Sequence, residues 1–409
     1  MFRGVLRSTT RRTRLAALNC LRHAFLHGES VMSSGTRMLY VVAGEASGDA
    51  RGAELLSALK EKVHGLQIVG AGGPKIAALA TGVFLDWSGE AVVGFWDVIK
   101  KYGYFKAQMD RMLAEISEIC PDAVLLIDYP GFNLRLAKQV KAMHPEIKTL
   151  YYISPQVWAW NRGRIPKMAR FLDRMLCIFP FEKELYEASG LRTEFVGHPM
   201  LDSLAKLRTG VARREDLVGL FPGSRDREVK RLFPVMLAAA RILSAGRPGL
   251  RFEVPAANAK LEAWMKDHMA KEGCEPDFCR VSLGRFYGLA QEAAVGMVCS
   301  GTATLESAFF GLPMLIVYKV SWLTWVVGRA LVKLRHIGMP NVLAGREIVP
   351  ELLQGRANPR LLAAGAGALL DDPAARRAQQ EAFVSVISGL GSCGAAVRAA
   401  EAVALALET

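Results

Sequence analysis

Asp128 follows an apolar run, Ala123 to Ile127, and precedes Tyr129-Pro130-Gly131-Phe132-Asn133. A carboxylate at the carboxyl end of a buried strand stands where α/β enzymes place reacting groups. With an ordinary pKa of about 3.9 it is ionised at neutral pH. It can then take a proton from a hydroxyl as that hydroxyl attacks. Pro130 and Gly131 fix a tight loop that holds it, and Asn133 is a binding candidate in the same loop. The competing structural reading makes Asp128 the cap of a helix over 132–144. Two further proton-transfer candidates are Glu45, in Ala43-Gly44-Glu45-Ala46-Ser47-Gly48-Asp49, and His198, in Gly197-His198-Pro199. A lone His at such a junction is more often structural. The residues leave open which of the three takes the proton.

Three turns have the composition of anion sites. Ser300-Gly301-Thr302 follows the apolar residues Val295, Met297 and Val298 and opens a helical segment stopped by Gly311 and Pro313. A helix N-terminus carries roughly half a unit of positive charge and uncovered N–H groups, which suit phosphate. Glu306, about one turn further, can accept from a ribose or sugar hydroxyl; an ordinary βα turn with a solvated Glu is the plainer reading. Phe221-Pro222-Gly223-Ser224-Arg225 adds a guanidinium fork suited to a pyrophosphate. The third turn brings Gly44, Ser47 and Gly48 close to any ligand. It is not GxGxxG, and Ser47 or Asp49 can equally be a helix cap. Trp158 and Trp160, in Ser154-Pro155-Gln156-Val157-Trp158-Ala159-Trp160, offer stacking faces for a sugar or acyl chain, or else a satellite core. Asn341 and Arg346, in Met339–Glu347, are expected to complete a nucleotide pocket.

These residues need strands and helices to position them. Near-continuous apolar strands are expected at 39–43, 66–69, 123–127 and 149–153, with shorter ones near 174–178 and 193–196. Helices alternate with them. In 105–119, Phe105, Met109, Met112, Leu113, Ile116 and Ile119 share one helical face. This βαβα rhythm means a parallel sheet covered on both faces. Residues 199–216 are polar and read as a linker. The rhythm restarts with strands at 217–221, 250–254, 278–281, 295–298 and 314–318, separated by helices, and an Ala-rich helical tail runs from 358. The expected organisation is a basic extension (1–37), a first α/β domain (38–205) and a second with the tail (206–409).

The chain has 409 residues, 51% hydrophobic and 22% charged, so a large core is expected and global disorder is excluded. Its net charge of +13 points to an anionic partner. Residues 1–37 hold seven Arg and one Glu. They read as an organellar transit segment, or as an upstream start with Met32 or Met38 as the working first residue. Seven scattered cysteines read as free thiols; Cys274 and Cys279 are the one close pair, with no His at zinc-finger spacing. No apolar run reaches the roughly 20 residues that span a bilayer. The stretch 320–338, with Trp322, Trp325, Val326, Arg329, Lys333 and Arg335, reads either as an interfacial amphipathic helix or as a buried helix with snorkelling cations.

Taken in order, AGEASGD (43–49), IDYPGFN (127–133), SPQVWAW (154–160), FPFEKELY (179–186), VGHP (196–199), PGSR (222–225), SGTATLE (300–306) and MPNVLAGRE (339–347) resemble the lipid-A-disaccharide synthases. The set is specific although no single member is. The resemblance implies glycosyltransferase family 19 and a GT-B fold, two Rossmann-like domains facing a cleft. It implies an inverting transfer of 2,3-diacylglucosamine from its UDP derivative to the 6-hydroxyl of 2,3-diacylglucosamine 1-phosphate (lipid X), giving a β-1,6 disaccharide and UDP. No metal or cofactor is expected. The family's base falls on Asp128; some relatives carry a second Asp where this chain has Gly131, so no acid pair is available here. The long basic N-terminus also departs from the usual bacterial pattern. Expected partners are the two lipid substrates and an anionic membrane surface, with no nucleic acid; a homodimer is compatible with the sequence. The expected location is peripheral, at the cytoplasmic face of the inner membrane, or in an organelle if 1–37 is a transit peptide. Two alternatives stand beside this: a UDP-sugar 2-epimerase of the same fold, and a non-catalytic anion- or membrane-binding protein.

Overall fold

The computed structural model describes residues 36–82, 84–87, 102–275, 277–322, 325–326 and 334–408. The extension call on 1–37 therefore lies almost wholly outside the described residues, as does much of the 320–338 stretch. The first sheet contains β1 (Met38–Ala43), β2 (Gln67–Gly72), β3 (Phe84–Asp86), β4 (Ala123–Ile127), β5 (Lys148–Tyr152), β6 (Arg174–Cys177) and β7 (Thr193–Phe195). Their order is 3-2-1-4-5-6-7. The second contains β8 (Arg214–Phe221), β9 (Arg251–Ala256), β10 (Cys279–Leu283), β11 (Ala293–Cys299), β12 (Met314–Tyr318) and β13 (Glu351–Leu353), in the order 10-9-8-11-12-13. All pairings are parallel.

Sixteen α-helices are described. The first lobe carries α1 (Ala46–Lys62), α2 (Pro74–Ala77), α3 (Tyr102–Ile119), α4 (Pro130–Met143), α5 (Val157–Trp160), α6 (Ile165–Met168), α7 (Pro180–Glu187) and α8 (Met200–Ala205). The remainder are α9 (Asp226–Gly246), α10 (Ala259–Lys271), α11 (Phe286–Glu292), α12 (Thr302–Phe309), α13 (Met339–Ala344), α14 (Pro359–Asp371), α15 (Pro373–Gly389) and α16 (Ala395–Glu408). Alternate residues of β1 enter different cores. Leu39, Val41 and Ala43 pack with Leu55, Leu56 and Leu59 of α1, whereas Tyr40 and Val42 pack with Met109, Met112 and Ile116 of α3. Burial on both faces is why the strand reads as an unbroken apolar run.

Three expectations change. Residues 199–216 are not one linker: Met200, Leu201 and Leu204 bury one face of α8, and β8 begins at Arg214, leaving 206–213 as the connection. The short strands β3 and β13 carry no apolar run long enough to announce them. The helical tail divides. Ala399, Val403 and Leu407 of α16 join the first-lobe core. Arg174 donates to the Ala402 carbonyl at 2.8 Å, and Lys148 to that of Ala406 at 2.8 Å. The chain thus passes between the lobes twice, and the two passages touch. The His198 N–H donates to the Leu390 carbonyl at 3.0 Å, and the Gly394 N–H donates to Asp202 at 2.6 Å.

Candidate active site

Each sheet reverses its winding once, between β1 and β4 and between β8 and β11. In open α/β sheets ligands bind beyond the carboxyl ends of the strands at such reversals. The turns that the sequence singles out flank both of them: 44–49 and 128–133 in the first lobe, 222–225 and 300–302 in the second.

In the first lobe the backbone is bent hard. Asp128 and Tyr129 are successive left-handed residues, with φ of 49° and 48°. Non-glycine residues in that region carry a cost of order 1–3 kcal/mol each and persist where the surroundings over-determine them. Here the clamp is visible. Asn133, fully buried, donates its amide to the carbonyls of Asp128 at 2.7 Å and Ile127 at 3.2 Å. The Tyr151 hydroxyl donates to the Asp128 carbonyl at 2.6 Å. Gly44 lies against the Tyr129 ring, where an added Cβ would sit 2.3 Å from a ring carbon. Asn133, expected to bind ligand, has a scaffolding role here: its amide nitrogen is committed to main chain, while its Oδ1 has no partner among the described residues. The helix after this turn is capped by Tyr129 without a side-chain bond, so Asp128 is not spent as the cap.

Burial pushes the Asp128 carboxyl above the usual aspartate range; a hydrogen bond from the Tyr129 backbone pulls it back and the nearby negative charge of Glu45 pushes it up again. Glu45 is half-buried, and Ser47 beside it is exposed. Gly48 lies against the end of β4, with ordinary van der Waals room for a Cβ. Asp49 caps a different helix from the one it lies in, accepting from the N–H groups of Gly73, Lys75 and Ile76 at 3.0 Å.

His198 is placed differently from a base. Burial, with the positive charge of Arg51 adding to it, lowers its pKa to about 4. Its Nδ1 accepts from the Met200 N–H at 3.2 Å, which puts the ring proton on Nε2. At neutral pH it is a neutral hydrogen-bond donor. Trp158 is also not the open stacking face expected: it is 4% exposed and donates its indole N–H to Glu182 at 2.8 Å. Glu182, fully buried, also accepts from Ser154 at 2.5 Å, and burial raises its pKa to about 7 against those hydrogen bonds.

In the second lobe β8 and β11 are neighbours, Phe221 opposite Val298. Gly223 has φ 104°, and a Cβ there would approach the Cys299 sulfur at 3.5 Å, so the 222–225 and 300–302 turns lie side by side. Ser224 is exposed and Arg225, 70% exposed at its side chain, pairs with Glu228 at 3.1 Å. That turn opens the 21-residue α9, and Gly301 opens α12. Thr302 is exposed, and the Ser300 hydroxyl lies 3.5 Å from the Ile337 carbonyl, at the limit of a hydrogen bond. Glu306 accepts from the Tyr287 hydroxyl at 3.3 Å. Burial raises its pKa, while the Tyr287 hydrogen bond and Arg51 lower it.

Arg51 is the residue that sequence reasoning missed. It leaves α1 of the first lobe, donates to the Pro199 carbonyl at 3.3 Å and to Ser203 at 3.1 Å, and acts electrostatically on His198 and on Glu306 of the second lobe. An isolated Arg in an amphipathic helix carries no signal of this. The nucleotide contacts expected of Asn341 and Arg346 do not join the set. Asn341 is fully buried; its amide donates to Val349 and Glu351 at 2.8 Å and its oxygen accepts from the Ile348 and Val349 N–H groups. Arg346 is exposed and lines a cavity with Pro350, Leu369 and Gln379, at the amino ends of β12 and β13 rather than the carboxyl ends. Among the described residues no cluster of His, Cys, Asp or Glu is arranged to hold a metal ion, and six cysteines are free.

The comparisons with known proteins agree with this layout. A UDP-N-acetylglucosamine 2-epimerase from Rickettsia bellii superposes with a TM-score of 0.55 at 13% identity, over 91% of this chain and 96% of that one. MurG from Acinetobacter baumannii does so with a TM-score of 0.52 at 13% identity, over 91% and 100%. At such identities the likeness shows the fold alone, and the fold is GT-B. The lipid-A-disaccharide synthase of Syntrophus aciditrophicus is 43% identical over 373 residues, 89% of this chain and 96% of that protein. A family model described as lipid-A-disaccharide synthetase matches residues 39–403, and with the two winding reversals and their glycine turns it places this chain in the lipid-A-disaccharide synthase family of glycosyltransferases.

Proposed function

We propose that this chain joins two acylated glucosamines, taking 2,3-diacylglucosamine from its UDP derivative and attaching it to the 6-hydroxyl of lipid X. The observation that carries the reading is Asp128, free of any capping duty on a strained turn at the first reversal, in a chain whose second reversal presents two adjacent glycine turns. Asp128 accepts the 6-hydroxyl proton while that oxygen attacks the anomeric carbon of the donor. The bond from that carbon to the UDP oxygen breaks, and UDP leaves with the electron pair. Attack from the face opposite UDP inverts the centre and gives the β-1,6 linkage. The charge developing on the diphosphate falls on the N–H groups of the 223–225 and 300–302 turns, on the α9 N-terminus and on Arg225. Glu306 is positioned for a ribose hydroxyl. Glu45 holds the Asp128 pKa up, which strengthens it as a base. His198, neutral, is a donor at the junction.

The reaction as written uses no resident metal or cofactor, and a chelator is expected to leave turnover unchanged. The acyl chains anchor both substrates in a bilayer, so the enzyme works at an anionic membrane surface, peripherally at the cytoplasmic face of the inner membrane; a homodimer is compatible with this. Among the described residues no helix is long and apolar enough to cross a membrane. The test is UDP release from the donor in the presence of lipid X by protein starting at Met38. Asp128→Asn is expected to keep the fold and lower turnover by ~10²–10⁴; near-normal turnover removes Asp128 from the role. Conversion of UDP-N-acetylglucosamine alone to its 2-epimer would instead favour the epimerase reading, which rests only on the fold.

A further inference from the structure

The segment after β5 stands apart electrostatically. No Asp or Glu lies between Glu146 and Asp173. Within it, α5 ends on Trp160, a 3-10 turn spans Arg162–Arg164, and α6 follows with Lys167. Arg162, Arg164 and Lys167 are all exposed, and none of them is ion-paired. Trp160, 44% exposed, lies under the Arg164 guanidinium at 4.8 Å. Arg162 also borders an open cavity of about 350 Å³ whose other walls are Trp158, Phe181, Leu185 and Glu184. A partly exposed indole with a cation over one face, beside two more exposed cations, has the composition of an interfacial anchor: the ring seats at headgroup depth and the cations meet lipid phosphate. The placement matters as much as the composition. Trp160 and Arg162 follow the carboxyl end of β5, and Asp128 follows the carboxyl end of β4, its neighbour in the sheet.

We infer that the Trp160–Lys167 segment is the surface by which the first lobe rests on an anionic phospholipid bilayer, at the rim of the Asp128 turn. The inference rests on the reading of the substrates as membrane lipids. A headgroup-level contact here sets the acceptor hydroxyl near the base without drawing the lipid out of the bilayer. Three exposed cations without ion pairs are worth about 1 kcal/mol each near such a surface, or roughly a hundredfold in partition.

The test is co-sedimentation of the full chain with phosphatidylcholine vesicles containing or lacking a third of phosphatidylglycerol, for the wild type and for Arg162→Gln/Arg164→Gln/Lys167→Gln. The triple variant is expected to lose roughly a hundredfold in partition onto the anionic vesicles. It should keep wild-type UDP release on detergent-dispersed substrates. Trp160→Ala is a second variant, expected to weaken partition onto both vesicle types. Unchanged anionic partition of the triple variant overturns the inference. If the wild type releases no UDP when given the UDP-linked donor and lipid X together while the vesicle difference stands, the reaction assignment fails and the surface assignment survives.

Discussion

The side-chain amide of Asn133 donates to the main-chain carbonyl of Asp128 at 2.7 Å, tying the helix after the turn back to the residue that begins it. The contact holds two successive left-handed residues in place. Asn133→Ala removes, from a fully buried position, the amide that donates to the Asp128 and Ile127 carbonyls and lies 3.5 Å from that of Val42. It is expected to lower unfolding stability by about 1–3 kcal/mol, read from the denaturant midpoint. Turnover should fall with little change in KM, because the loss acts on the orientation of the base. A larger loss of KM than of kcat would give Asn133 a substrate contact instead.

Asp128 must be ionised to act. Burial holds its pKa above the ordinary range, so activity is lost as pH falls through a value above about 3.9. Glu45 adds to that elevation. Glu45→Gln is therefore expected to move the acid limb of the kcat/KM profile to lower pH. A limb that stays put would place the titration on another group.

Arg225 is mostly exposed and its pair with Glu228 is a surface one, worth about 0–1 kcal/mol. Arg225→Ala should leave the melting temperature almost unmoved. UDP affinity, by calorimetry, should fall roughly tenfold or more, the scale of one charge-assisted hydrogen bond. Arg225→Lys keeps the charge without the fork and should recover only part of it. Unchanged affinity in the alanine variant would remove the diphosphate contact.

His198 carries a pH signature of its own. Its folded pKa is near 4, and the unfolded value is about 6.5. Between these the unfolded chain binds a proton that the folded chain refuses, so this stability contribution is present above pH 6.5 and lost as pH falls towards 4. Glu182 works in the opposite direction: with a folded pKa near 7 its contribution falls as pH rises from about 4.5 to 7. His198→Asn keeps an acceptor for the Met200 N–H and removes the first effect. The difference in unfolding free energy between wild type and variant should then slope across pH 4–6.5 and be flat above it.

Buried strands were the most legible part of the chain. β4 is found at Ala123–Ile127 as expected, because a strand covered on both faces can only be written in apolar residues. The four glycine turns were legible for a related reason: small residues at strand ends mark where backbone is uncovered. Asn133, Asn341 and Trp158 misled in one and the same way. A polar side chain in a loop advertises hydrogen-bonding capacity but not where it is spent. For Trp158 the partner, Glu182, lies 24 residues on. Arg51 went unnoticed because Pro199 and Ser203 lie about 150 residues on in the chain and Glu306 lies in the other lobe, so the three meet it only in the folded molecule. β3 and β13, three residues each, are too short for any period to register.

The return of α16 to the first sheet makes the lobes inseparable by a single cut. A fragment ending at Ala205 would leave the apolar flank of α1 bare to water, and a truncation at Gly394 would do the same to the longer chain. Because 197–198 and 390–391 touch where they cross, two covalent tethers run together through one point. Rotation about a line through that point stretches neither of them, whereas sliding one lobe past the other strains both. Opening and shutting is the movement this connectivity leaves free.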